Sequence, residues 1–168
     1  MFYCRLIFLV LFISCASSAW TMGDLSSLRV QSPLIGMEAP DVVLSKMDGT
    51  SASIIGSREG QKAILVFWAT WCPHCYEELG FINAHLASIE QKGVKIILVD
   101  IGESKEDVSN YFKERQMKLM SFLDENGYLQ ETYHLIGVPT IMFIDEKGIV
   151  QSSTHQFPSD YENYFSSK

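Results

Sequence analysis

The stretch Leu65-Val-Phe-Trp-Ala-Thr-Trp-Cys-Pro-His-Cys-Tyr-Glu-Glu-Leu79 constrains this chain more than any other, because an apolar run passes directly into a helix start that carries two cysteines. Ala63 to Trp68 shows no polar alternation, as expected of a central strand covered on both faces. Pro73 suits a first helical turn, where its missing N–H is not needed. Cys75, Leu79, Ile82, Leu86 and Ile89 then recur at four-and-three spacing along one helical face, and Gly93 closes the helix. Two cysteines separated by two residues at a helix N-terminus can close a short disulfide, and the helix end favours the Cys72 thiolate. The chemistry this layout suits is thiol–disulfide exchange.

A chain of 168 residues with 47% hydrophobic content buries one core, so a single domain is expected over residues 33–168. Residues 1–19 differ from the rest: one positive charge at Arg5, unbroken apolar sequence from Leu6 to Ile13, then small residues to Ala19. This is the pattern of a secretion signal, with cleavage before Trp20 or retention as an anchor. Phe12-Ile13-Ser14-Cys15 also resembles a bacterial lipobox, which would make Cys15 a lipidation site. On each reading the domain works outside the cytoplasm, periplasmic or otherwise extracytoplasmic, and touches the membrane only through this segment. Residues 20–32 have no firm period and read as a tether.

Without the leader, 12 basic residues face 20 acidic ones, a net charge of about −8. An acidic chain without a Lys/Arg run is repelled by phosphate backbones, which excludes nucleic acid as a partner. Cys4 and Cys15 lie in the leader segment, so with it set aside only Cys72 and Cys75 remain in the folded body. A disulfide-stapled domain uses several spaced pairs, and a loop this short stabilises little. Redox work is the favoured reading of the pair, ahead of a metal ligand pair or an inert bridge. His85, His134 and His155 have no mutual spacing that suggests a metal site, and no cofactor is called for.

The remaining sequence reads as alternating strands and helices. Val42 to Leu44 and Ser51 to Ile55 flank the turn Met47-Asp48-Gly49-Thr50 as a β-hairpin, followed by a loop from Ser57 to Gln61. Val94 to Val99 is a second apolar strand, and Ser104 with Asp107 makes a capping box for a helix to about Arg115. Met120 to Leu123 reads as a strand, Tyr128 to His134 as a short helix, and Thr140 to Ile144 and Ile149 to Ser153 as strands around the turn Glu146-Lys147-Gly148. The class is α/β, a mixed central sheet with helices on both faces. Ser159 to Phe165 has room for one or two helical turns. Met117, Met120, Met142 and Trp68 read as packing residues.

Phe67-Trp-Ala-Thr-Trp-Cys-Pro-His-Cys75, Gly36-Met-Glu-Ala-Pro40, Val99-Asp-Ile-Gly-Glu-Ser104 and Gly137-Val-Pro-Thr-Ile-Met-Phe-Ile-Asp-Glu-Lys-Gly148 together resemble the thioredoxin-like family, in its extracytoplasmic TlpA/ResA branch. The resemblance covers roughly residues 33–153. It implies a thioredoxin fold with an added N-terminal β-hairpin and a strand–helix insertion within Ser104 to His134. It also implies client proteins bearing thiols or disulfides, and a membrane redox partner as electron source. Members of that branch typically keep cysteines reduced, often those of apocytochromes c before haem attachment.

Each site residue receives an expected task. Cys72, whose sulfur is expected to be the more exposed of the two, is the nucleophile of the mixed disulfide, and Cys75, one turn along on the inward face, resolves it. His74, an imidazole beside the thiolate, favours the Cys72 anion together with Pro73, unless it merely faces solvent. Glu78 borders the buried stripe while Glu77 turns to water. A glutamate at this offset resembles the functional acid of ResA-like proteins, able to exchange a proton with Cys75; the alternative is a glutamate favoured by the helix dipole. Val66 stands where thioredoxins proper often have a buried aspartate. Pro139 matches the family's cis proline, which would present the backbone of Val138 toward Cys72 for pairing with an extended client, the alternative being a trans turn. Trp71 makes an aromatic lip. The Cys-Pro-His-Cys tetrapeptide also resembles DsbA-type oxidases, so a disulfide-forming oxidase is the second reading and a copper-binding module of this fold the third. A peroxidase is disfavoured because no Pro-x-x-x-Thr-x-x-Cys pattern surrounds Cys72.

Overall fold

The computed structural model describes residues 32–166. The expected leader over residues 1–19, the tether short of its last residue, and Cys15 lie outside this range. The described elements run β1 (Val43–Lys46), β2 (Ser51–Ser53), β3 (Lys62–Trp68), α1 (Pro73–Gln91), β4 (Val94–Ile101), α2 (Lys105–Glu114), β5 (Ser121–Asp124), α3 (Tyr128–Thr132), β6 (Thr140–Ile144) and β7 (Val150–Thr154). Short 3-10 helices occupy Gly56–Arg58, overlapping the start of the expected loop Ser57 to Gln61, and Tyr161–Phe165. Among the described residues the strands form one mixed seven-stranded sheet in the order β2-β1-β5-β4-β3-β6-β7. The β-hairpin pairs Leu44 with Ala52. The segment between β4 and β6 supplies α2, β5 and α3, and β5 fills the place between β4 and β1.

β3 is central because both its faces are apolar. Ile64, Val66 and Trp68 join the core under α1 and α2, while Ala63, Leu65 and Phe67 join the core under α3 and the N-terminal segment. Period-2 alternation thus divides one continuous hydrophobic run between two cores. α1 supplies Cys75, Leu79, Ile82 and Ile89 to the first core, with Leu86 partly buried beside them. Gly93, at φ 74°, takes the left-handed conformation that ends the helix. Leu129 and Tyr133 reach the opposite core, where the Tyr133 ring lies 4.7 Å from Phe67. Helices therefore cover both faces of the sheet.

Ser104 caps α2, accepting from the Asp107 N–H at 3.2 Å. Met142 is buried and Met117 packs against the core, but Met120 is exposed, contrary to the expectation that all three pack. Met120 immediately precedes β5, where the chain has not yet entered the sheet. The C-terminal segment closes with the 3-10 turn at Tyr161–Phe165, whose Tyr161 and Phe165 seal the α1 side of the core in place of a longer helix.

Candidate active site

β3 and β6 are antiparallel with Phe67 opposite Thr140, so the loop leaving β3 must face the loop entering β6. This register brings Cys72 against Val138 and Pro139. Cys72 Sγ lies 3.5 Å from the Val138 carbonyl oxygen, and the Val138–Pro139 peptide bond is cis. Two contacts hold the β6 loop: Thr140 Oγ1 donates to the Gly137 carbonyl at 2.6 Å, and His155 Nδ1 donates to the Pro139 carbonyl at 2.8 Å. A carbonyl can only accept, which fixes the proton on Nδ1.

Cys72 is the N-cap of α1. Its backbone is extended, Pro73 takes the first helical position, and Cys72 Sγ accepts from the Cys75 N–H at 3.1 Å. No acidic residue occupies the first turn, so the positive end of the helix dipole faces the sulfur unopposed. Cys72 and Cys75 are closed as a disulfide with Cα atoms 5.3 Å apart. Both cysteines are buried, Cys75 at 0% exposure and Cys72 at 4%, so Cys72 is the more accessible of the two. Around it Pro73 and His74 are exposed, and Trp71 is 69% exposed.

Glu78 is buried three residues beyond Cys75, on the same stripe of α1, while Glu77 is exposed. Its Oε2 accepts from the Phe157 N–H at 2.9 Å, a bond brought in by the chain that follows β7. Val66 lies on the same side of the sheet, in the core with Cys75 and Leu79. The exposed His85 bonds within its own helix, and His134 is exposed on a residue with positive φ.

Five residues at or beside the site, His155, Phe157, Thr70, Glu103 and Asp100, escaped the sequence reading. His155 and Phe157 act through the β6 loop and Glu78, as above. Thr70, two residues before Cys72, donates its N–H to Glu103 Oε2 at 2.6 Å and its hydroxyl to Glu103 Oε1. Asp100 is wholly buried where β4 pairs with Trp68 of β3. Its only signal in the sequence is an acid inside the run Ile97-Leu-Val-Asp-Ile101, a polar residue where a two-sided strand should have none.

A mixed sheet with helices on both faces, a disulfide at the start of the helix leaving the central strand, and a cis proline opposite it define the class of thioredoxin-fold thiol–disulfide oxidoreductases. Residues 35–153 match the AhpC/TSA family, and the chain belongs to that family. It is 31% identical over 148 residues to the thiol-disulfide oxidoreductase ResA of Bacillus thuringiensis subsp. konkukian, covering 87% of this chain and 85% of the relative. It is 35% identical over 119 residues to the sporulation thiol-disulfide oxidoreductase A of Bacillus subtilis, covering 68% and 70%. Among solved structures, StoA from Bacillus subtilis is similar with a TM-score of 0.62 and 26% identity, over 75% of this chain and 95% of that one. The exposed lipoprotein thioredoxin of Streptococcus pneumoniae is similar with a TM-score of 0.64 and 25% identity, over 74% and 98%. The protein is a thiol–disulfide oxidoreductase, and its clients carry thiols or disulfides.

Proposed function

We propose that this oxidoreductase is an extracytoplasmic reductant of client disulfides, for example in keeping apocytochrome c cysteines reduced, and that it is re-reduced by a membrane redox partner. The observation that carries the reading is the placement of Cys72 Sγ, at the helix N-terminus and 3.5 Å from the Val138 carbonyl, with Cys75 fully buried behind it. In the reduced protein the Cys72 thiolate attacks one sulfur of a client disulfide, forming a mixed disulfide and expelling the first client thiolate. Cys75 then loses its proton to Glu78 and attacks Cys72 Sγ. The second client thiolate leaves, two electrons have passed to the client, and the Cys72–Cys75 disulfide is closed. Val138 and Pro139 offer a backbone edge to the extended client, Trp71 an apolar wall, and His74 a hydrogen bond to the thiolate.

The reductant direction is supported by the size of the excursion between β4 and β5. It holds α2, of 10 residues, with no room for the large helical insertion of a dedicated oxidase. The Cys-Pro-His-Cys tetrapeptide favours the opposite direction, as in DsbA-type oxidases. The likeness to an exposed lipoprotein thioredoxin supports a tether outside the membrane, through a retained leader or a lipid on Cys15. Equilibration of the purified protein with glutathione buffers decides the direction. The reductant reading expects a potential well below the roughly −120 mV of DsbA, and a value near −120 mV would establish an oxidase instead.

A further inference from the structure

The acid at the end of β4 has no part in the exchange steps above, yet it lies beneath the loop that carries Cys72. Asp100 is 0% exposed, and its register partners are Trp68 on β3 and Leu123 on β5. Among the described residues neither of its carboxyl oxygens completes a well-formed hydrogen bond, and the one donor close to them is the backbone N–H of Glu103, which eases the ionised form only in part. The side chain within hydrogen-bonding reach is another carboxyl, that of Glu103. Two facing carboxylates cannot form a bond until one of them is protonated, and an unpaired charge on the buried Asp100 costs several kcal/mol. Glu103 is itself committed: its two oxygens accept from the N–H and the hydroxyl of Thr70. The loops leaving β3 and β4 are therefore joined by Glu103, and Asp100 stands under the joint.

We propose that Asp100 is a positioning residue for the exchange reaction: protonated, it donates to Glu103, which grips Thr70 and so fixes the loop that presents Cys72. Burial, then the Glu103 carboxyl and charge, then the charge of Asp124 push the Asp100 carboxyl up to about 8. These neighbours come from the two sides that pack on it. Glu103 follows β4, and Asp124 on β5 is occupied in accepting the N–H groups of Tyr128 and Leu129. From α2, Asp107, Tyr111 and Glu114 line the same groove as Glu103, and Arg115 at the C-cap sits 3.8 Å above the Tyr111 ring. When Asp100 gives its proton to solvent, the two carboxylates repel. Glu103 has space to withdraw into an open polar groove of about 470 Å³, lined also by Asp107, Asn110 and Glu114. Thr70 is then released and Cys72 loses its fixed placement.

The test compares the parent with Asp100→Asn, whose amide donates to Glu103 at every pH. Rates with a small peptide disulfide are measured on the reduced proteins from about pH 6.5 to about pH 9.5 and divided by the Cys72 thiolate fraction, since the invoked group titrates between. In the parent the normalised rate falls about ten-fold across that range, the scale of a small misplacement of a reacting group. In Asp100→Asn and in Glu103→Gln it stays flat. A second measurement needs no variant: difference infrared spectra of the parent show a protonated carboxyl at neutral pH that disappears in alkali. Superimposed profiles for parent and Asp100→Asn, or no protonated carboxyl at neutral pH, would overturn the proposal. The inference rests on Cys72 as the attacking sulfur, but the infrared measurement reads no sulfur chemistry, so the two assignments fail separately.

Discussion

The Phe157 N–H donates to Glu78 Oε2 at 2.9 Å, tying the chain beyond β7 to the acid one turn below Cys75. The bond spans 79 residues of sequence, and it orients a carboxyl that would otherwise be free to rotate out of the core edge. A glutamine keeps an oxygen acceptor for Phe157 but cannot take a proton.

Glu78→Gln is therefore expected to fold normally and to slow resolution of the mixed disulfide by about 100-fold, the lower end of general acid–base contributions. Stopped-flow measurement of product thiol release, across pH, reads this step. An unchanged rate and pH profile would leave Glu78 with a structural task only.

Asp100 makes a stability prediction independent of catalysis. Its carboxyl titrates near 8 in the folded protein against an ordinary value of 3.8, so the native state holds a proton that the unfolded chain gives up above about pH 4. Stability from this group is complete below pH 4 and is lost as pH rises toward 8, at no more than about 1.4 kcal/mol per pH unit. Other carboxyls contribute equally to parent and variant, so the difference isolates Asp100. Urea midpoints should show Asp100→Asn gaining about 2 kcal/mol or more on the parent between pH 5 and pH 8. A constant difference would show that Asp100 is already ionised in the native state.

Trp68 ends β3 with its indole N–H donating to Ser121 Oγ at 3.0 Å and its ring stacked 5.0 Å from Phe112. Trp68→Phe removes the donor and leaves a gap between β3 and α2. We expect a loss of about 1–3 kcal/mol in chemical denaturation, from the cavity and the lost bond together. A loss below about 0.5 kcal/mol would mean that Ser121 and Phe112 close over the site without cost.

The parts of this protein legible in the sequence are those governed by neighbours along the chain. The two-sided apolarity of Ala63 to Trp68, the four-and-three stripe from Cys75 to Ile89 and the cap at Ser104 are local patterns, and each led to the correct element. Cys72 and Cys75 were found in the same way, because their spacing fixes their separation on a helix. The cis bond before Pro139 came only through the family resemblance, since no local pattern distinguishes it from a trans turn. What escaped is made by topology. Thr70 meets Glu103 across 33 residues and His155 meets Pro139 across 16, through the order in which strands enter the sheet. The apolar run Val94 to Val99 stops one residue short of Asp100, whereas β4 continues to Ile101 and buries it. Ser159 to Phe165 kept its helical turns, but as a 3-10 segment whose aromatic side chains fill the core.

The account depends most on Cys72 being the sulfur that engages the client while Cys75 waits behind it. Replacing Cys75 by serine removes the resolving thiol and should hold the mixed disulfide open. When reduced Cys75→Ser protein is mixed with a disulfide-bearing client peptide, mass spectrometry should find a stable adduct on the peptide that contains Cys72. Under the same conditions Cys72→Ser should form none. An adduct of equal yield on Cys75 in the Cys72→Ser protein, or no adduct on Cys72, would contradict the central claim.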